Sequence, residues 1–370
     1  MHIAIFGIRG IPSGYSGYEG FTEELATRLI SRGHTITVYA HKHLFKERPK
    51  QYKGINMVYI PALQGKNTAQ LSHSFLCAWH VAFSKADVVL VCNCANGYFG
   101  SILRVFGKPC CINVDGLEWL RPKWGKMGKK MFKLGAECAV KFFNTVITDA
   151  KGMQDYYREN FNCESTDIAY GGKIQYSTNP ELVKKLGLEP NGYYLIASRL
   201  VSDNNADLIV KGFVKSGSKK ILAIAGGTVY KNPYEDYVRS LANDRVKFLG
   251  HIDDQDVIKE LHCNAFAYLH GHQFGGTNPA LLKALAYGNL IFATDTVFSR
   301  EVLDDGKYGI LIPKEEDKWA EKINYFEVNE ALAQTYRNKS RDRINERYTW
   351  EHITDQYEDV FKKLYALKHK

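Results

Sequence analysis

Short apolar runs alternate with longer stretches in which apolar positions recur at helical spacing, and the alternation occupies nearly the whole chain. In the first half the runs fall at 2–6, 35–39, 56–60, 88–92, 110–114 and 146–148, with helical patterns over 19–31, 70–83, 126–142 and 153–160 between them. Short strands separated by helices predict a doubly wound α/β fold with a parallel sheet covered on both faces. A last strand at 166–169 runs into Tyr170-Gly171-Gly172 and a polar joint, 173–191.

Beyond the joint the pattern restarts. Strands are expected at 194–197, 221–225, 246–249, 265–269 and 290–293, and helices at 206–214, 234–241, 254–261 and from Pro279 to Tyr287. Two helices close the chain, 315–338 with a break near Asn329 and 350–367, the latter long enough to cross back and brace the first half. The expected domains are 1–172 with the terminal helix 350–370, and 173–349, facing a cleft where ligands of such sheets bind at the carboxyl ends of the strands.

The stretch 267–303 carries the clearest chemistry. An apolar strand passes through the glycine-bearing loop His270 to Asn278 into a helix with Pro279 in its first turn. That order aims free backbone N–H groups at whatever sits before the helix, which suits a phosphate. An ordinary strand-to-helix loop would look the same locally.

Composition narrows the classes. At 370 residues the chain exceeds one typical core, and 45% apolar with 24% charged residues is ordinary for a globular protein. No run of eighteen apolar residues suggests a membrane span, and Met1 leads straight into a strand, so a cytoplasmic protein without a signal peptide is expected. The eight cysteines lie on predicted buried strands or are scattered singly, as reduced thiols would be. His262, Cys263, His270 and His272 lie close in sequence without a CxxC pair, which gives zinc little support.

The net charge of +9 is concentrated at 121–141, where Arg121, Lys123, Lys126, Lys129, Lys130, Lys133 and Lys141 face one acid, Glu137. Trp124, Met127, Met131 and Leu134 recur there at helical spacing. Such a helix either lies on an anionic bilayer or presents a solvated basic face above a core-facing stripe. No recognisable nucleic-acid-binding module accompanies it, so no nucleic acid is expected.

The first strand is followed by Gly7, Gly10, Gly14, Gly17 and Gly20, which permit close backbone approach to a ligand. The spacing G-x-G-x-x-G and an acid after the second strand are both missing, which argues against a nicotinamide cofactor, and there is no Walker lysine. In the second half Ser198-Arg199 closes a strand where a guanidinium can hold a diphosphate, a structural ion pair being the rival reading. Gly226-Gly227 ends the next strand, where a phosphate or base could approach or a simple tight turn could sit. Asp254-Gln255-Asp256 resembles a metal-binding D-x-D but stands where a helix begins, so capping explains it better.

In order along the chain come Arg9-Gly10-Ile11-Pro12 with Gly14 to Glu19, Val114 to Trp119 with Arg121, Lys123 and Trp124, Arg199 to Asn205, and His270-Gly271-His272 with Gly275 to Pro279. These motifs resemble the GT-B glycosyltransferases of family 4, within them the bacterial polysaccharide rhamnosyltransferase subfamily, over nearly the whole chain. The resemblance implies two Rossmann-like domains and a metal-independent, retaining transfer with no cofactor, a nucleotide sugar as donor and a lipid-linked saccharide as acceptor. Arg199 would grip the donor diphosphate, Gly275, Gly276, Thr277 and Asn278 with the helix behind them would bind phosphate and sugar, and His270, Gly226, Gly227 and Glu301 would complete the donor site. Arg9, Gly10, Gly14, Tyr15, Gly17, Tyr18 and Glu19, with Glu118 and Trp119, would line the acceptor side. Asp115 stands where many relatives have a histidine that touches the donor sugar. Gly275 and Lys283 replace the family's Glu-x7-Glu pair, and Asn204 replaces a diphosphate-binding lysine.

The implied activity is transfer of a sugar, L-rhamnose from dTDP-rhamnose first, onto an undecaprenyl-diphosphate-linked or similar glycan during cell-surface polysaccharide synthesis. The protein would then be cytoplasmic and peripheral to the membrane's inner face. Alternatives are a UDP- or GDP-linked donor, an epimerase or hydrolase on the same frame, and a non-catalytic nucleotide-sugar-binding protein, the last motivated by Lys283 and Asn204.

Overall fold

A computed structural model describes residues 1–12, 17–65, 68–122, 124–227 and 232–368. It divides into two compact units, Met1–Tyr170 with Trp350–Lys370, and Gly171–Thr349. In the first unit the chain runs β1 (His2–Phe6), α1 (Gly17–Ser31), β2 (Thr35–His41), β3 (Gln51–Tyr52), β4 (Ile55–Ile60), α2 (Ala69–Ala82), β5 (Val88–Cys92), α3 (Gly100–Val105), β6 (Cys110–Asn113), α4 (Lys126–Phe142), β7 (Thr145–Thr148), α5 (Lys151–Phe161) and β8 (Thr166–Asp167). The second unit follows with α6 (Glu181–Lys184), β9 (Tyr193–Ala197), α7 (Ala206–Lys215), β10 (Ile221–Ala225), α8 (Pro233–Ser240), β11 (Val246–Gly250), α9 (Gln255–Cys263), β12 (Ala267–His270), α10 (Pro279–Ala286), β13 (Leu290–Thr294), α11 (Val297–Leu303), β14 (Ile310–Ile312), α12 (Glu316–Val328) and α13 (Glu330–Arg347). The last helix, α14 (Trp350–Lys368), returns to the first unit.

The first sheet has the order β3-β4-β2-β1-β5-β6-β7-β8, parallel except for β3 against β4. The second has the order β11-β10-β9-β12-β13-β14 and is parallel throughout. Strands β1, β5, β9 and β12 are central and almost wholly buried, which is why they read as unbroken apolar runs rather than alternating ones. In each unit the chain winds outward and then comes back, so its direction reverses between β1 and β5 and between β9 and β12.

Helix α14 lies on α1. Phe21 and Tyr357 pack at a tilt with ring centroids 5.2 Å apart, Arg32 pairs with Asp355 at 2.7 Å and Glu358 at 2.8 Å, and Asn113 Nδ2 donates to Tyr357 Oη at 2.8 Å. All eight cysteines are free. Asp254 caps α9, accepting from the N–H of Asp256 at 2.8 Å, as its position at the helix start suggested.

Five elements were not foreseen, two of them the short helices α3 and α6. β3 is two residues joined to β4 through Lys53 and Gly54, both at positive φ, a hairpin too short for any period to register. α11 has only seven residues and β14 three. The break at Asn329 is present, but the helix beyond it runs to Arg347 rather than stopping at 338. Its sequence is polar all round because it packs through guanidinium groups: Arg341 donates to Tyr287 O at 2.9 Å and Arg343 to Val302 O at 2.9 Å, satisfying carbonyls at the ends of α10 and α11.

Candidate functional site

In the second unit the loops leaving the carboxyl ends of β9 and β12 flank the point where the winding reverses, the place where an open parallel sheet leaves a crevice. After β9, Ser198 N–H donates to Ala225 O at 3.1 Å. Gly226 sits at φ +132°, and a Cβ there would collide with Ser198 O, so only glycine allows β10 to end beside this loop. A Cβ on Gly227 would meet the Glu235 carboxylate at 3.7 Å, an ordinary contact.

Arg199 is exposed, and among the described residues its guanidinium makes no hydrogen bond or ion pair. Its backbone, in contrast, is fixed: Arg199 O accepts from Asn204 Nδ2 at 2.9 Å and from Val201 N–H at 3.0 Å. Asn204 was expected to bind the donor; its buried amide instead clamps the loop that carries Arg199. Asn205, in the left-handed conformation, donates from Nδ2 to Gly271 O at 2.7 Å, and Gln273 N–H donates to Asp203 O at 3.1 Å. A Cβ on Gly271 would strike Asn204 O. The two loops are thereby tied into one piece.

Along the second loop Gly275 lies at φ +126° with nothing within 4 Å of a Cβ position, so the dihedral alone calls for glycine. Asn278 caps α10 through Oδ1, which accepts from Ala280 N–H at 2.9 Å, and Pro279 has no N–H to satisfy. Among the described residues the backbone N–H groups of Gly275, Gly276 and Asn278 make no hydrogen bond, while Thr277 is buried. A pocket in front of them is lined by His270, His272, Gly275, Gly276, Asn278 and Ser299. His270 is buried with Nδ1 unpartnered and stacks on His272 with centroids 4.3 Å apart; burial pushes its pKa down to about 3, so it offers a neutral ring.

Two further residues expected in the donor site, Glu301 and Lys283, lie in surroundings of their own. Glu301 Oε1 accepts from Arg347 at 2.9 Å, and it is Phe298, Ser299 and Val302 of α11 that line the pocket. Lys283 is half-buried without an ion pair among the described residues, and it is absent from the pocket wall. Burial lowers its pKa, and its charge adds to the burial that holds His262 at about 3. Ser299 and Asn205 were missed. Thr296, whose hydroxyl accepts from Ser299 N–H at 3.0 Å, is the capping signal that would have located Ser299.

The first unit is wired differently. Gly10 lies at φ +127° against Ala40 and Phe45, Arg9 N–H donates to the buried Glu19 carboxylate at 2.9 Å, and Tyr18 Oη donates toward Asn113 O and Oδ1 at 3.3 Å each. Gly17 opens α1, whereas Gly14 and Tyr15 lie outside the described residues. Asp115, at φ +41° beyond β6, accepts from Gly116 N–H at 2.6 Å, and its charge adds to burial in raising the pKa of Tyr18 and Tyr170. Glu118 and Trp119, expected on the acceptor side, both have partners within the protein. The Glu118 carboxylate binds Arg121 and accepts from Trp124 Nε1 at 2.7 Å. Trp119 is buried among Tyr156, Tyr157 and Phe161, with Nε1 donating to Tyr156 Oη at 3.2 Å.

Comparison with known proteins fits this geometry. Residues 178–343 match the family model for glycosyl transferases group 1, and 84–173 match a domain of unknown function, DUF1972. An uncharacterized glycosyltransferase of Methanocaldococcus jannaschii is 25% identical over 236 residues, a match spanning 59% of this chain and 58% of that protein. A sucrose-phosphate synthase from Thermosynechococcus elongatus superposes with a TM-score of 0.83 at 17% identity, covering 99% of each chain. Anabaena HepE, solved with UDP-glucose, gives 0.78 at 16% identity over 98% of this chain and 100% of its own. The whole described chain therefore has the GT-B fold, and its residues 178–343 match the family model for glycosyl transferases group 1.

Proposed function

We propose that the protein is a retaining, metal-independent glycosyltransferase that takes its sugar from a nucleoside-diphosphate donor held in the second unit. The observation that carries this reading is the row of N–H groups at Gly275, Gly276 and Asn278 ahead of α10, which make no hydrogen bond among the described residues, in a loop tied to the one that presents Arg199. Aligned amides at a helix start, joined by a guanidinium, can neutralise the pyrophosphate charge that grows as the glycosidic bond breaks. Neutral His270 can hydrogen-bond a sugar hydroxyl without adding charge. An acceptor hydroxyl held on the donor's own face, close to the departing oxygen, would then give retention.

For the donor itself, dTDP-rhamnose is the first reading, supported by the polysaccharide-enzyme motifs at Arg9 to Pro12 and Val114 to Trp119, with a lipid-linked glycan as acceptor. A UDP-hexose is the second, favoured by the UDP-glucose complex of Anabaena HepE. A thermal-shift panel of dTDP-, UDP- and GDP-sugars separates them, because a ligand that binds only the folded form raises the melting point by mass action. A shift with dTDP-rhamnose alone supports the first reading. A shift with UDP-glucose alone transfers the assignment to the second, and no shift with any nucleotide sugar removes both.

A further inference from the structure

The first unit carries a surface that neither its core nor the proposed transfer chemistry explains. Along α2 the residues Phe75, Leu76, Trp79 and Phe83 face solvent, while His73, Cys77, Ala78 and Val81 on the opposite side are buried. Phe83 is 74% exposed and Val105, at the end of α3, 82%. These are not scattered single residues. Phe83 meets Phe106 edge-on with ring centroids 5.0 Å apart, Phe106 meets Trp79 edge-on at 5.6 Å, and Phe75 lies tilted against Phe99 at 6.2 Å. A chain of touching rings left in water at the surface marks an interaction site.

The patch continues onto α4. α3 packs against both α2 and α4. Tyr98 Oη donates to Met131 O at 2.5 Å and Arg104 to Lys141 O at 2.8 Å, fixing α4 beside the aromatic cluster. At about 3.6 residues per turn, Met127, Met131 and Leu134 form one stripe of α4 and Lys126, Lys130 and Lys133 the adjoining one. The stripe was expected to be either core-facing or lipid-facing; Met127 is 73% exposed and all three apolar side chains reach solvent, while Gly135, Ala136 and Ala139 face the interior. Among the described residues Lys126, Lys129, Lys130 and Lys133 make no ion pair.

We propose that this face, the outward side of α2, the end of α3 and the methionine and lysine stripes of α4, docks on an anionic lipid bilayer. The chemistry selects that occupant. Protruding Trp, Phe and Met rows suit the boundary between headgroups and acyl chains, and flanking lysines can lay their stems on the apolar surface while their ammonium groups reach phosphates. A second copy of this chain would set the same unpaired lysines against each other. The proposal is independent of the sugar-transfer reading, since docking needs no nucleotide.

Flotation of the full chain with phosphatidylcholine vesicles, with and without phosphatidylglycerol, tests it. Binding should be about tenfold stronger or more on the anionic vesicles and weaken with added salt. Trp79→Glu with Phe83→Glu should abolish binding to either vesicle, and Lys129→Glu, Lys130→Glu and Lys133→Glu together should remove the preference for anionic lipid. If the glutamate pair lowers the melting temperature, Trp79→Ser with Val105→Ser serves instead and should weaken binding in the same direction. Wild-type protein that stays at the bottom of the gradient with both vesicles, or floats equally well in every variant, overturns the proposal. So does a stable dimer that Trp79→Ser dissolves in a protein that never floats.

Discussion

The two units share one architecture, yet the groups described beyond the carboxyl ends of their strands are partnered in different ways. In the second unit the loops after β9 and β12 are braced by side chains, Asn204 and Asn205, and among the described residues the amides of Gly275, Gly276 and Asn278 and the Arg199 guanidinium make no hydrogen bond. In the first unit, carboxylates and rings close on the protein itself: Glu19 accepts from Arg9 N–H, Glu118 holds Arg121 and Trp124, and Trp119 joins the core. A parallel sheet thus supplies the position of a site, while the local hydrogen-bond accounting decides whether anything is left to bind a ligand.

That contrast is sharpest at Trp119. Replacing it by Ala should cost about 3–5 kcal/mol of stability in denaturant unfolding, as for a large buried aromatic, while the folded fraction keeps its KM for acceptor. A raised acceptor KM at unchanged stability would return Trp119 to the acceptor face. In the second unit Arg199→Ala should leave the melting temperature unchanged, because the side chain is exposed, and lower turnover by about a hundredfold or more. Arg199→Lys should recover part of the loss; wild-type rates in Arg199→Ala would end the assignment.

Gly226→Ala tests the brace rather than the ligand groups. With φ at +132° and Ser198 O in the way of a Cβ, it should destabilise the second unit by about 1–3 kcal/mol in chemical denaturation. Gly275→Ala, strained by its dihedral but not crowded, should show the smaller loss of stability and the larger loss of nucleotide affinity by calorimetric titration. The reverse ranking would mean that the amide row is not the binding element.

A further effect is expected on pH dependence. Burial holds His262 and His270 near a pKa of about 3, below their ordinary value of 6.5. Unfolding therefore takes up protons in that interval, so stability is full above 6.5 and is lost as pH falls toward 3. Scanning calorimetry across this range should show the slope, and His270→Asn should make it shallower by at most one proton; an unchanged slope would place the titration elsewhere.

Much of this was legible in the chain. Central strands buried on both faces leave continuous apolar runs, and Pro279 after a glycine loop marks a helix start, so the doubly wound halves and the start of α10 could be read directly. Arg199 could be named because it closes a strand. What could not be read was which polar side chains already had partners. Nothing in a one-dimensional pattern distinguishes Glu301 bonded to Arg347, or Asn204 bonded to a carbonyl five residues back, from the same residues facing a ligand. The aromatic face of α2 was equally hidden, because helical spacing of apolar residues is the same whether a second apolar stripe meets the core or water.

Nitrogen-resolved NMR of the backbone amides tests the central claim most directly, with a nucleoside diphosphate and the corresponding nucleoside added in turn. The diphosphate should shift the Gly275, Gly276 and Asn278 resonances, and the nucleoside should leave them in place. Unmoved glycine amides at saturating diphosphate would contradict the account.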